Sequence, residues 1–165
     1  MKENNFEGIF IVVEGADGAG TTTQSKKLAE ELDAYWTSEP TEGSIGEKVE
    51  EMIRSEDYSA ESIALAFAAD RVLHLEEEVV DKLKEGRIVV SDRYYHSSLV
   101  YQPAFGAEYN WIEELNKEAL RPDITLVLDI GSTEAFSRLR DRERSKINPE
   151  NFREENQSSL DMFSL

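Results

Sequence analysis

The chain has 165 residues, 39% hydrophobic and 32% charged, enough for one folded domain with a buried core. Its 35 Asp and Glu against 18 Lys and Arg give a net charge of −17, which repels nucleic acid and argues against a polyanion-binding module. No apolar run approaches the ~20 residues of a membrane span, the start carries no signal-peptide cleavage site, and zero cysteines exclude disulfides and thiolate metal sites while fitting a cytoplasmic protein.

In chain order, "GIFIVV" (residues 8–13) is a short apolar run rich in β-branched side chains, as expected of a parallel strand covered on both faces. A glycine-rich stretch follows at once, and Thr22 to Leu32 reads as a helix. "DAYWTSEP" suggests a second strand ended by Pro40. "SIGEKVEEMIRS" reads as a helix capped by Ser44. From Ser59 to Glu85, Ile63, Phe67, Leu73, Val79, Val80 and Leu83 recur at helical spacing until Gly86 stops the pattern. "RIVVSDRYY" and "ITLVLDI" are the third and fourth strands, with a helix from Trp111 to Leu120 between them and another from Ser132 to Arg144. Residues 151–165 are polar and read as a helix start or a loose tail, with no fifth strand. Strands alternating with helices predict a three-layer, doubly wound α/β parallel sheet. The loops after its strands gather along one edge, where such folds bind ligands.

The glycine stretch carries the sharpest signal. A phosphate-binding loop reads G-x-x-x-x-G-K-[ST]. Here Gly15, Ala16, Asp17, Gly18, Ala19, Gly20, Thr21, Thr22 and Thr23 fill that frame, with threonine 21 at the lysine position. Glycines let backbone N–H groups turn toward a phosphate, and the helix start adds partial positive charge. Thr22 would place its hydroxyl on Mg²⁺. Thr21 can donate one hydrogen bond but brings no charge, and a charge-assisted phosphate contact contributes about 1.5–3 kcal/mol. A glycine-rich turn with no ligand is the plain alternative.

Elsewhere, "SRLRDRERSK" sets Arg138, Arg140, Arg142, Arg144 and Lys146 close together in an otherwise acidic chain. Alone it reads as a solvated helix with i,i+4 ion pairs. His74 and His96 have no second ligand at metal spacing and read as structural or surface residues. The acidity itself has two readings, a solvated face or adaptation to high salt. Unfolding at low but not molar salt would favour the second, and equal stability in both would reject it.

Five stretches together resemble the thymidylate kinase family: "EGADGAG", "EPTEGSIG" (39–46), "LAFAADR" (65–71), "SDRYYHSSLVYQ" (91–102) and "RPDITLVLDI" (121–130). They fall in the family's order and cover residues 8 to about 145. The resemblance implies a single P-loop kinase domain over residues 1–165 that moves phosphate from ATP to dTMP with Mg²⁺, in the cytoplasm, as a homodimer through the long 59–85 helix. It implies no nucleic-acid or membrane partner. Phe67 and Arg71, four apart on one helix face, would stack on thymine and donate to its carbonyl. Asp92 would make a water-mediated Mg²⁺ contact and Arg93 would hold the acceptor phosphate. Tyr101 would crowd the sugar 2′ position, Gln102 would read the base edge, and Ser98 lies in the same motif. Asp17 would sit near the acceptor sugar and phosphate, with Glu39 as its partner across the site. Asp129, at the end of the fourth strand, is left outside the site.

The chain departs from the family at three places. Thr21 replaces lysine, Ser38 stands where many members have arginine before Glu-Pro, and the chain ends before the final strand and helix. The arginine run resembles the family's lid (about 138–150), which in members without a loop arginine folds over the ATP phosphates. Arg140 and Arg142 are therefore expected to supply the catalytic cations that the loop lacks. Two alternatives stay open: a kinase for another nucleoside monophosphate, and an inactive nucleotide-binding relic or fragment.

Overall fold

The structure, a computed structural model, describes residues 1–55 and 57–146. It separates into two compact units: Met1–Gly15 with Gly20–Leu128, and Ala16–Ala19 with the chain from Asp129 on.

The first unit holds four parallel strands: β1 (Phe10–Gly15), β2 (Tyr35–Ser38), β3 (Val89–Asp92) and β4 (Ile124–Leu128), in the order β2-β3-β1-β4. Successive side chains of β1 point to opposite faces, and both faces are covered. Phe10 and Val12 pack against Leu75, Val79, Leu83 and Tyr94, whereas Ile11 and Val13 pack against Ala29, Leu28 and Trp36. Burying those four β1 side chains contributes about 1.5–3 kcal/mol each. The chain crosses from β1 to β2 on one side and from β3 to β4 on the other. The carboxyl ends of β1 and β3 therefore flank the point where the winding reverses, the usual binding crevice of such sheets.

The helices of this unit are α1 (Thr21–Glu31), α2 (Ser44–Arg54), α3 (Ala60–His74), α4 (Val80–Lys84), α5 (Tyr95–Ala104) and α6 (Tyr109–Leu115). One π-helical turn, Leu75–Val79, joins α3 to α4, so the 59–85 periodicity is a continuous run with one wide turn. Ser59 caps it, its hydroxyl accepting from the Ser62 N–H. Two sequence expectations shift. Gly43, not Ser44, is the residue that precedes the first turn of α2. The helix read from Trp111 to Leu120 runs from Tyr109 to Leu115, because the Glu108 carboxylate caps Asn110 and Trp111 at its start.

The third strand also stops earlier than its motif suggests, and α5 begins at Tyr95 inside it. Arg93 makes the turn at φ 68°, a left-handed conformation that a side chain adopts at a cost.

In the second unit, α7 (Ser132–Lys146) starts with Glu134 and Ala135 N–H groups on the Gly131 carbonyl. Gly18 has φ 85°, and a Cβ there would lie 2.5 Å from the Ala135 carbonyl oxygen, so glycine is required twice over. No described helix is long and apolar enough to cross a membrane.

Candidate functional site

At the phosphate end, β1 closes on Gly15 and α1 opens at Thr21. Gly20 takes φ 92°, and a Cβ placed on it would meet nothing within 4 Å, so the backbone before α1 has an open face. Thr21 is buried, and Thr22 and Thr23 are exposed. The Thr22 hydroxyl donates to Asp92 Oδ2 at 2.5 Å, which brings together the two residues expected at Mg²⁺. The other oxygen, Asp92 Oδ1, is buried and has no hydrogen-bond partner among the described residues. An unsatisfied buried carboxylate oxygen beside a hydroxyl is a hard donor set suited to Mg²⁺. Among the described residues no three His, Asp or Glu side chains form a cage, and Mg²⁺ at phosphates is ordinarily held by one or two side chains with water and phosphate.

Glu14, which the sequence reading passed over, organises the segment after β3. Its Oε1 accepts from the Tyr94 N–H at 2.9 Å and the Ser97 N–H at 3.2 Å, and its Oε2 accepts from the Ser97 hydroxyl at 2.7 Å. α5 has no cap of its own at Tyr94; a carboxylate 80 positions earlier in the chain performs that role. Burial raises the Glu14 pKa from its ordinary 4.5, and the bonds from Ser97 and Tyr94 and the Arg93 charge pull it back down. With the Arg93 N–H on the Val13 carbonyl at 2.9 Å, the turn is fastened to β1 on both sides. The Arg93 guanidinium donates to Ser97 Oγ at 3.1 Å and lies 5.6 Å from the Tyr101 ring centre. Three expected residues, Asp92, Arg93 and Tyr101, thus follow one fixed turn. His96 sits half-buried with Nδ1 3.8 Å from Glu14 Oε1, beyond hydrogen-bond range. Desolvation, with the Arg71 charge second, lowers its pKa from 6.5.

At the other end of the crevice lies a buried polar cluster. Arg71 is 2% exposed. Its Nε donates to Glu39 Oε2 at 2.8 Å, its Nη2 lies 2.7 Å from the same oxygen and donates to Ser98 Oγ at 3.2 Å, and its Nη1 donates to Asn116 Oδ1. Asn116 is oriented by its own Nδ2, which donates to the Ile112 carbonyl at 2.8 Å. Glu39 Oε1 meets His74 Nδ1 at 3.0 Å, and His74 Nε2 meets Thr37 Oγ1 at 2.7 Å. Tyr94 closes the cluster with its ring 5.4 Å from the guanidinium; burial raises its phenol pKa well above 10. Glu39, Arg71 and Ser98 are thereby brought together. One helical turn beyond Ser98, Gln102 is 3% exposed, and its Oε1 has no donor among the described residues. Phe67 lies half-buried one turn before Arg71. Histidine 74 and Asn116 carried no sequence signal beyond their positions on helices.

Asp17 and Ala16 are exposed in the second unit, where the Ala19 N–H returns to the Ala16 carbonyl at 2.9 Å. Arg138 pairs with Glu134 at 2.8 Å, the i,i+4 contact expected of a solvated helix, and Arg140 is exposed. The Arg142 side chain, and residues 147–150 of the expected lid, lie outside the described residues.

A glycine loop between a buried strand and a helix, with a threonine hydroxyl on a strand-end aspartate, defines a P-loop nucleotide-binding α/β protein. Comparison with known proteins narrows this. Residues 13–164 match the family described as thymidylate kinase. The chain is 44% identical over 135 residues to a probable thymidylate kinase of Methanococcus vannielii, covering 82% of this chain and 67% of that protein. It is 40% identical over 144 residues to one of Pyrococcus horikoshii, covering 81% and 70%. The crystal structure of thymidylate kinase from Ehrlichia chaffeensis superposes with a TM-score of 0.69 at 32% identity, covering 86% of this chain and 84% of that one. The chain belongs to the thymidylate kinase family.

Proposed function

We propose that this chain phosphorylates dTMP to dTDP with ATP, the reaction of its family, and that the two halves of the crevice divide the work. The observation that carries the choice of base is the buried Gln102 Oε1, without a donor among the described residues, one helical turn beyond the Ser98 that Arg71 bonds. Thymine offers an N3–H donor and a 4-carbonyl acceptor; cytosine offers the reverse. An amide oxygen and a guanidinium therefore complement thymine and leave unpaired groups against cytosine, a mismatch that sites of this kind reject strongly. Among the described residues Nη1 of Arg71 has one acceptor, Asn116, for its two N–H groups, so one remains for the base carbonyl. Phe67 supplies the stacking face, and Tyr101 lies on α5 between Ser98 and Gln102, where the sugar would pass.

At the phosphate end, backbone N–H groups at the start of α1, from Gly20 to Thr23, receive the donor, and Arg93 holds the acceptor phosphate; the part of Ala16 to Ala19 in the loop rests on family resemblance. Thr22 and Asp92 would hold Mg²⁺, which when bound neutralises charge on the transferred phosphoryl. The reaction is an in-line displacement in which the acceptor phosphate oxygen forms a bond to the γ-phosphorus as the bond to the β-bridging oxygen breaks. Positioning and electrostatics supply the rate, with no covalent intermediate. Arg140 and Arg142 as charge donors, and Asp17 near the acceptor, rest on family resemblance. Leu65, Val72 and Leu73 leave apolar surface exposed on α3, suited to pairing of two copies; sedimentation showing a monomer at all concentrations would reject that.

The test is an acceptor panel (dTMP, dUMP, dCMP, dGMP, dAMP) with ATP and Mg²⁺, read as ADP release at low and molar salt. Turnover with dTMP and dUMP well above dCMP is expected. Equal rates across the panel would reject the base assignment, and no turnover at any salt would favour a binding-only protein.

A further inference from the structure

The side chain expected to read the base is held by a line of hydrogen bonds that never reaches the crevice. Glu39 stands at the end of β2, and its carboxylate is 2% exposed. One oxygen is bonded by Arg71 and the other by His74, and with so little exposure the carboxylate is turned to them rather than to an acceptor nucleotide. Arg71 and His74 are three apart on α3, hence on one face, and grip the same carboxylate from one side. A carboxylate oxygen only accepts, so His74 Nδ1 carries the proton. Nε2 lies 2.7 Å from the Thr37 hydroxyl, which also reaches Glu78 Oε2 at 3.4 Å, and Thr37 lies on β2 two residues before Glu39.

The peptide around Glu39 is fixed independently. Its N–H donates to the Asp92 carbonyl at 3.1 Å. Two residues on, Thr41 gives its N–H and hydroxyl to the two oxygens of Asp70, at 2.9 and 2.6 Å. The carboxylate therefore has one place to be, and the guanidinium takes its plane from it. Arginine has large rotamer freedom, and immobilising such a side chain at binding costs about 0.5–1.5 kcal/mol. Here that ordering is complete before any ligand arrives.

We propose that Thr37, His74 and Glu39 are positioning residues that set the orientation of Arg71 and so fix the selectivity of the acceptor site for a pyrimidine with a 4-carbonyl. This rests on the assignment of Arg71 to the base. It changes the expected part of Glu39, which acts through Arg71 and does not touch substrate. It also gives His74 a role in recognition without making it a ligand to anything.

The experiment compares dTMP with 5-methyl-dCMP, which keeps the methyl group and exchanges the 4-carbonyl and N3–H for an amino group and a bare nitrogen. KM and kcat are measured on the full chain for wild type, His74→Leu, His74→Asn, Thr37→Val and Arg71→Lys, with the melting temperature of each. His74→Leu is expected to raise KM for dTMP about tenfold and lower the dTMP preference by a similar factor, leaving kcat within about threefold. His74→Asn retains a donor near the Nδ1 position and is expected to stay within about threefold of wild type, with Thr37→Val in between. Unchanged KM and preference in folded His74→Leu and Thr37→Val would overturn the inference, as would a loss confined to kcat. Should His74→Leu fail to fold, Thr37→Val alone decides. If Arg71→Lys keeps the full preference, the base assignment itself falls; if it loses the preference while the histidine and threonine variants keep it, only the positioning chain falls.

Discussion

The two ends of the crevice hold their polar groups in opposite ways. At the base end, Arg71, Glu39 and His74 are each 5% exposed or less and bond one another. At the phosphate end, among the described residues, Gly20 has open space above it, Thr22 is exposed, and one oxygen of Asp92 has no partner. The base end is ordered without ligand, with Gln102 Oε1 and one Arg71 N–H left to read it; the phosphate end is left for ligand to complete. The physics of each ligand explains the contrast. A flat base is distinguished by a few donors and acceptors, which discriminate only if they cannot rearrange. A polyphosphate brings its own charge and its own metal, and needs converging donors more than a rigid surround.

The largest expected effect follows from the ordered end. Arg71→Ala would leave the Glu39 carboxylate buried with His74 as its one polar side-chain partner among the described residues. Breaking a buried pair from one side costs about 3–5 kcal/mol, so urea unfolding is expected to shift by that amount. A loss below about 1 kcal/mol, the range of exposed pairs, would show that the cluster is not sealed.

The open end predicts a gain. Thr21→Lys restores a cation at the loop, and a charge-assisted phosphate contact contributes about 1.5–3 kcal/mol. An increase of about tenfold or more in kcat is expected. The same substitution on an Arg140→Ala, Arg142→Ala background asks whether α7 supplies the missing charge: the arginine changes are expected to lower turnover and Thr21→Lys to recover part of it. Turnover untouched by losing both arginines would end that idea.

The smallest effect is on pH dependence. His96 titrates below 6.5 in the folded chain because burial disfavours its charged form. Between 6.5 and that lowered value the unfolded chain binds more protons, so stability is lost as pH falls. His96→Gln is expected to flatten the fall in unfolding midpoint between pH 7.5 and 5.5. Glu14, whose raised pKa acts in the opposite sense, is common to both proteins. Parallel curves would contradict the burial of His96.

Much of this was legible in the sequence, for local reasons. Apolar β-branched runs gave the strands, 3.6-residue spacing gave α3, and the glycine pattern gave the loop. The failures share a cause. α5 has no element in the sequence reading and its first residue reads as strand, because its cap is the carboxylate of Glu14, far away in the chain. Phe67 and Arg71 were found as a pair at helical spacing, but nothing local shows that Glu39, Ser98 and Asn116 converge on the guanidinium from the end of β2, α5 and the end of α6, with His74 of α3 behind Glu39. A long-range polar cluster leaves no periodic trace; it emerges only when the fold brings those elements together.

Calorimetric titration of dTMP into the chain, without ATP, tests the ordered base end most directly. One saturable site per chain is expected, weakened about tenfold or more by Gln102→Leu, which removes the waiting acceptor. No saturable binding, or equal affinity in the variant, would contradict the account.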